Sequence, residues 1–254
     1  MDDATTVIDV RDLRKAFGPI QAIDGISFQA RKGDVLGFLG PNGAGKSTTM
    51  KILSCFLAPD GGTATVAGHD IRREPVQARR KLGYLAENAP AYEEMAPVAF
   101  LSFVCDARGI DGAKRADALD RIATTCAIAN VMHQPIGTLS KGYRRRVGLA
   151  QALIHDPPVL ILDEPTDGLD PNQKHDVRTL IRRLAETKCI VISTHILEEV
   201  DACCSWMIII DRGRVVRDTT PEALRREEGG ELDAIFRKLT TRDAAPTAGK
   251  DGAA

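Results

Sequence analysis

The stretch VLGFLGPNGAGKSTTMKIL (35–53) passes from an apolar segment through a glycine-rich loop into a segment of helical character. Residues 35–39 read as a short strand, and the helix reads as spanning residues 46–57. Between them Gly40, Gly45, Lys46 and Ser47 fit the spacing G-x-x-x-x-G-K-[ST]. Gly43 and Gly45 allow backbone conformations that aim successive N–H groups inward, so the loop Asn42, Gly43, Ala44, Gly45 can cradle an anion. The helix N-terminus favours negative charge. Lys46 can reach the β- and γ-phosphates of a nucleoside triphosphate, Ser47 can supply a magnesium ligand, and Thr48 can support the phosphates beside it. A glycine turn that merely opens a helix would not require the Lys-Ser pair. The spacing G-x-G-x-x-G of a dinucleotide site is absent.

A second stretch, VLILDEPTDGLDP (159–171), ends an apolar strand in two carboxylates. Buried carboxylates are costly unless they face a cation or hydrogen-bond donors. Magnesium on a triphosphate held by Lys46 and Ser47 would offset that cost. Asp163 is then a metal-site residue, and Glu164 a general base that polarises water. The alternative is that both acids cap the following turn. Pro165, Asp167, Gly168, Asp170 and Pro171 mark a tight loop, and Asp170 either caps the next helix or joins the nucleotide site.

Outward from these motifs, residues 7–13, 22–30, 63–67 and 81–85 read as strands. Residues 98–131 carry helical periodicity, broken at Gly109 and Gly112. From Leu139 helices (143–154, 172–187, 197–203) alternate with strands (159–163, 189–193, 207–211, 214–217), which implies an α/β fold with a largely parallel core sheet. The end, RDAAPTAGKDGAA (242–254), has the composition of a disordered tail. The chain of 254 residues is 43% hydrophobic, enough for a substantial core. Formal net charge is -1 and aromatics are 4%, which argues against nucleic acid as a partner. There is no CxxC or zinc spacing among the cysteines. No apolar run is long enough to span a membrane, and MDDATTVIDV does not read as a signal peptide, so a cytoplasmic location is expected.

Together, these motifs resemble those of the nucleotide-binding subunit of ATP-binding cassette (ABC) transporters, over about residues 5–229. GPNGAGKST (40–48) resembles the family's Walker A loop, VLILDE (159–164) its Walker B strand and TDGLD (166–170) its D-loop. His195 in ISTH matches the switch histidine, and LSKGY (139–143) lies where the family carries its signature. The resemblance implies a P-loop NTPase of the ABC ATPase type. Its RecA-like core would carry antiparallel β and helical subdomains, the helical one at about residues 88–155, with residues 230–254 as a short C-terminal segment and tail. It implies ATP and Mg2+ as cofactors, with Lys46, Glu164 and His195 catalytic. Ser140 and Gly142 would contact ATP held by a second cassette, most simply a second copy of this chain. The partner would be a transmembrane permease, which would hold the subunit peripherally on the inner face of the cell membrane.

Several positions depart from the family pattern or extend it. Lys141 replaces a signature glycine and Tyr143 its glutamine; LSKGY resembles ABC-2 type exporters, the gliding-motility ATPases among them. Glu87 stands where the family usually has glutamine, and it can reach a metal or water. Phe17 matches the aromatic that stacks on adenine, with a plain edge phenylalanine as the alternative. Of Arg144, Arg145 and Arg146, one is expected to support the signature loop or the dimer while the others face water. The segment 88–103 would border the permease groove, with Tyr92 and Met95 the interface candidates and Pro90 beside them. Two other readings are a soluble, non-transport ABC ATPase and a nucleotide-gated adaptor.

Overall fold

The computed structural model of the chain describes residues 6–88 and 91–240. Its strands are β1 (Thr6–Phe17), β2 (Ile20–Arg31), β3 (Val35–Leu39), β4 (Gly61–Val66), β5 (His69–Asp70), β6 (Leu82–Leu85), β7 (Val159–Asp163), β8 (Cys189–Thr194), β9 (Trp206–Asp211) and β10 (Arg214–Thr219). Its helices are α1 (Lys46–Leu53), α2 (Pro75–Arg80), α3 (Pro97–Arg108), α4 (Gly112–Thr125), α5 (Lys141–Leu153), α6 (Pro171–Ala185), α7 (Leu197–Cys203), α8 (Pro221–Glu228) and α9 (Leu232–Thr240).

Every residue of β3, β7 and β8 is buried, which is why these strands are apolar without alternation. They are the centre of a sheet ordered β10-β9-β3-β8-β7-β6, parallel throughout except for β10. Alternate residues feed opposite cores. Val159, Ile161 and Val191 join a core shared with Met50 of α1 and with Ile8, Ile26 and Phe28 of a second, antiparallel sheet, ordered β2-β1-β4-β5. Leu160, Leu162, Ile190 and Ile192 pack with Leu101 of α3, Ile122 of α4, Val147 of α5 and Ile181 of α6. Strand register pairs Asp163 with Ser193, and Phe38 with the same Ser193. The segments that follow β3, β7 and β8 therefore leave from one edge of the sheet, where ligands bind in open α/β sheets.

The sequence reading and the structure differ at the ends of elements. α1 stops at Leu53, short of residue 57, because Cys55 turns left-handed (φ 56) and the Phe56 N–H donates to the Lys51 carbonyl. That position usually calls for glycine or asparagine, so a cysteine gave no warning. α2, opened by Pro75, and the two-residue β5 were not anticipated. The expected C-terminal segment contains α9, whose Leu232, Ile235 and Leu239 pack in a third core with Val200 and Leu224. Residues 241–254, expected as a disordered tail, lie outside the described residues. Between β6 and β7 the described chain forms only helices and turns. No described helix is long and apolar enough to cross a membrane.

Candidate functional site

β3 delivers the chain to Gly40, where a Cβ would lie 2.4 Å from the Ile210 carbonyl oxygen of β9. Gly45, the residue before α1, has φ 105, and a Cβ there would lie 2.5 Å from the Ala22 carbonyl oxygen. Glycine is needed at both places for the loop to pass between β2 and β9. The loop is braced from behind: Gly213 N–H donates to the Ala44 carbonyl at 3.0 Å, and Asp24 N–H donates to the Gly213 carbonyl at 2.8 Å. Lys46 is buried, and its Nζ donates to the carbonyls of Gly40 (2.6 Å) and Pro41 (3.2 Å). Burial pushes the Lys46 pKa down; Glu164, Asp163 and Glu87 each oppose that, so all three carboxylates lie within its field.

Asp163, 1% exposed, accepts a long hydrogen bond of 3.4 Å at Oδ1 from Ser47 Oγ. Glu164 sits in the left-handed region (φ 51), anchored by its N–H to the Ser193 carbonyl at 2.9 Å. Its Oε1 lies 2.9 Å from His195 Nδ1, while its buried Oε2 has no hydrogen-bond partner among the described residues. Among the described residues neither carboxylate accepts a hydrogen bond from the turn that follows. Lys46, Ser47, Asp163, Glu164 and His195 thus meet at the sheet edge, with Glu87 facing them from the segment after β6.

The remaining expected residues are arranged around this group. Phe17 ends β1, 47% exposed, opposite Ile20 in the hairpin that leads to Ala22, with the Lys15 ammonium 5.6 Å from its ring centroid. Ser140 caps α5 by accepting from the Tyr143 N–H at 3.3 Å, and Gly142 packs against the Gln173 side chain. Lys141 pairs with Asp167 at 3.2 Å, tying the signature loop to the D-loop of the same chain. Asp170 takes the capping alternative, since its Oδ1 accepts from the N–H groups of Asn172 and Gln173, both at 3.0 Å. Pro90 lies outside the described residues. The arginine run resolves sharply: Arg144 is exposed, Arg146 pairs with Asp176, and Arg145 is buried. Arg145 supports the backbone after β7 rather than the signature loop, and its burial could be read only as one face of a helix of period 3.6.

The group fits a magnesium-bound triphosphate. α1 has no side-chain cap at its N-terminus, so the amides of its first turn are left for an anion. The buried, unpartnered Glu164 oxygen points to a ligand or water beside it. Among the described residues no three acid, histidine or cysteine side chains assemble into a metal site. Magnesium is commonly held by one or two protein oxygens plus substrate phosphates, and Ser47 with Asp163 supplies that set.

A family model described as "ABC transporter" matches residues 23–167. The chain belongs to the ABC transporter family. Its cassette is 36% identical over 245 residues to the daunorubicin resistance ATP-binding protein DrrA3 of Streptomyces coeruleorubidus, covering 95% of this chain and 77% of the relative. It is 35% identical to the Nod factor export ATP-binding protein I of Ralstonia nicotianae (89% and 71% covered). It is 31% identical to the probable multidrug ABC transporter ATP-binding protein YbhF of Escherichia coli, of which it spans 39%. Among solved structures, an ATP-binding subunit of an ABC transporter superposes with TM-score 0.83 at 27% identity, covering 92% of this chain and 99% of that one. The dimeric bacterial ABC transporter cassette MJ0796 shares the fold, with TM-score 0.77 at 23% identity over 84% of this chain and 98% of that one. The ABC architecture of a RecA-like P-loop core with mixed α/β structure is therefore the fold of this chain.

Proposed function

We propose that the chain binds ATP with Mg2+ and hydrolyses it to drive a separate transmembrane permease, most simply an exporter, as one of two paired cassettes. One observation carries this reading: Lys46, Ser47, Asp163, Glu164 and His195 converge at the C-terminal edge of the parallel sheet, beside an uncapped helix start. In this reading the cassette spans about residues 5–229, with its helical subdomain at 88–155. Asn42, Gly43, Ala44, Gly45 and Thr48 hold the phosphates, and Phe17 stacks on adenine. Ser47 and Asp163, with Glu87, hold the magnesium, which supplies charge neutralisation at the phosphates when bound. Lys46 stabilises charge that develops on the γ-phosphate. Glu164 accepts the proton of the attacking water, and His195 orients it through the 2.9 Å contact.

Ser140, exposed at the start of α5, and Gly142, buried in its first turn against Gln173, form in this reading the half-site for ATP on a second copy, so the two chains close head to tail. The dimer of the related MJ0796 cassette supports that arrangement. Export is supported by the Nod factor exporter among the relatives and by LSKGY. Permease docking is supported by a surface groove of about 680 Å³, lined by Phe56, Val76, Arg79, Tyr84, Asp106 and Arg108. Phe56 is 80% exposed there, and exposed Tyr92 and Phe103, stacked edge to face, extend the apolar surface along α3. Such a subunit would lie peripherally on the inner face of the membrane.

The test is Glu164→Gln. The amide keeps the shape and can still accept from His195, so folding and ATP binding are retained, while kcat falls by about 10²–10⁴. The inactive variant should dimerise with ATP, read as mass in solution. Turnover near that of the normal chain, or an ATP-bound monomer, would overturn the reading.

A further inference from the structure

Arg145 is 5% exposed and forms no ion pair with a carboxylate among the described residues. Among the described residues its side-chain hydrogen bonds all go to carbonyl oxygens, from two separate segments. Nε donates to Pro165 at 3.1 Å, Nη2 to Asp163 at 2.6 Å and also to Glu164, and Nη1 to Ala86 at 3.2 Å and also to Glu87. A guanidinium has five N–H groups in a fixed plane, and here each has its own acceptor. The contacts hold Asp163, Glu164 and Glu87 by their backbone, so the guanidinium takes up none of the three carboxylates.

The position matters because Glu164 is not in a relaxed conformation. Its φ of 51 is costly for a residue with a Cβ, and such a conformation persists only when its surroundings hold it. The fork donates to the carbonyls before, at and after that residue. The other end of the link is α5, which is capped by Ser140 and carries Arg145 in its second turn. A rigid helix thus joins the signature loop to the backbone that aims Glu164.

We propose that Arg145 is a positioning residue for hydrolysis. It couples the signature loop, which serves the partner's ATP, to Glu164 and Glu87, which serve the chain's own. The inference rests on the paired-cassette reading above. A shift of α5 when the signature loop engages the partner's nucleotide is carried by the guanidinium to the carbonyls of 163–165 and 86–87. The two ATP sites of the pair are then coupled through this side chain. Lysine keeps the charge but cannot reproduce the planar fork.

The experiment uses the full chain with Arg145→Lys and Arg145→Gln, and the exposed Arg144→Gln as control. Three quantities are measured: kcat and Hill coefficient for Mg-ATP hydrolysis, affinity for a fluorescent ATP analogue, and amide hydrogen exchange. The expected result for Arg145→Lys is a fall in kcat of at least about tenfold, with analogue affinity within about threefold of normal. The Hill coefficient should drop toward one, and the amides of Glu164 and Asp167 should exchange faster in nucleotide-free protein. Arg144→Gln should match the normal chain. The exchange readout needs no turnover, and hydrolysis by the normal chain tests the ATPase reading by itself. Unchanged exchange at 164–167 in both Arg145 variants would overturn the inference, as would a kcat that falls only in step with analogue affinity.

Discussion

Substituting Gly45 by alanine probes the point at which fold and site are the same structure. Two costs apply. The backbone at Gly45 has φ 105, and holding a residue with a Cβ in so sparsely populated a region costs about 1–3 kcal/mol. The new methyl would also sit 2.5 Å from the Ala22 carbonyl oxygen, so the loop or β2 must retreat by about 0.9 Å to reach 3.4 Å, the start of ordinary contact. Overpacking of this kind adds about 1–3 kcal/mol. The retreat is resisted on the far side, since Ala44 is held by Gly213, and a Cβ at Gly213 would itself lie 2.9 Å from the same Ala22 oxygen. Gly33, in the turn between β2 and β3, separates the two costs, because its φ is 92 and a Cβ there would meet nothing within 4 Å. Urea unfolding of Gly45→Ala and Gly33→Ala should give losses of about 2–6 and 1–3 kcal/mol respectively. Titration with a fluorescent ATP analogue should show about a hundredfold weaker binding for Gly45→Ala and none of that loss for Gly33→Ala. Equal unfolding free energies with unchanged analogue binding would refute the claim that β2 and β9 confine the loop.

The other predictions concern pH and surface charge. Burial pulls His155 down to about 4, its Nε2 lies 3.1 Å from the Leu82 carbonyl oxygen, and its buried Nδ1 has no hydrogen-bond partner among the described residues. The folded chain therefore keeps His155 neutral where the unfolded chain binds a proton, at an ordinary pKa near 6.5. Its contribution is fully present above about pH 6.5 and is lost as pH falls toward 4, up to about 3 kcal/mol. His155→Gln should flatten that part of a stability–pH curve measured by urea unfolding, and an unchanged slope would contradict it. The Lys141–Asp167 pair is more than half exposed at both ends, so Lys141→Ala should change stability by no more than about 1 kcal/mol, an effect that shrinks in salt. A larger, salt-independent loss in the same denaturation assay would mean that the pair is structural.

The parts of this protein that its sequence determines alone are those in which the chemistry is local. Gly40 to Ser47 lie within one turn and one helix start, and Asp163 and Glu164 end one strand, so their spacing already encodes a phosphate cradle and a pair of acids. β3, β7 and α7 have the bounds expected from their apolar runs for the same reason. Tertiary structure decided what depends on distant chain. Asp170 carried two readings until its carboxylate was seen on the first amides of α6. The three adjacent arginines are alike in sequence, and only the packing of α5 against the ends of β6 and β7 turns the middle one inward. The contact of Glu164 with His195 joins residues 31 positions apart, and the parallel register of β7 and β8 is what sets them side by side. Spacing reports neighbours along the chain; a sheet edge assembles its site from strands whose order no single segment carries.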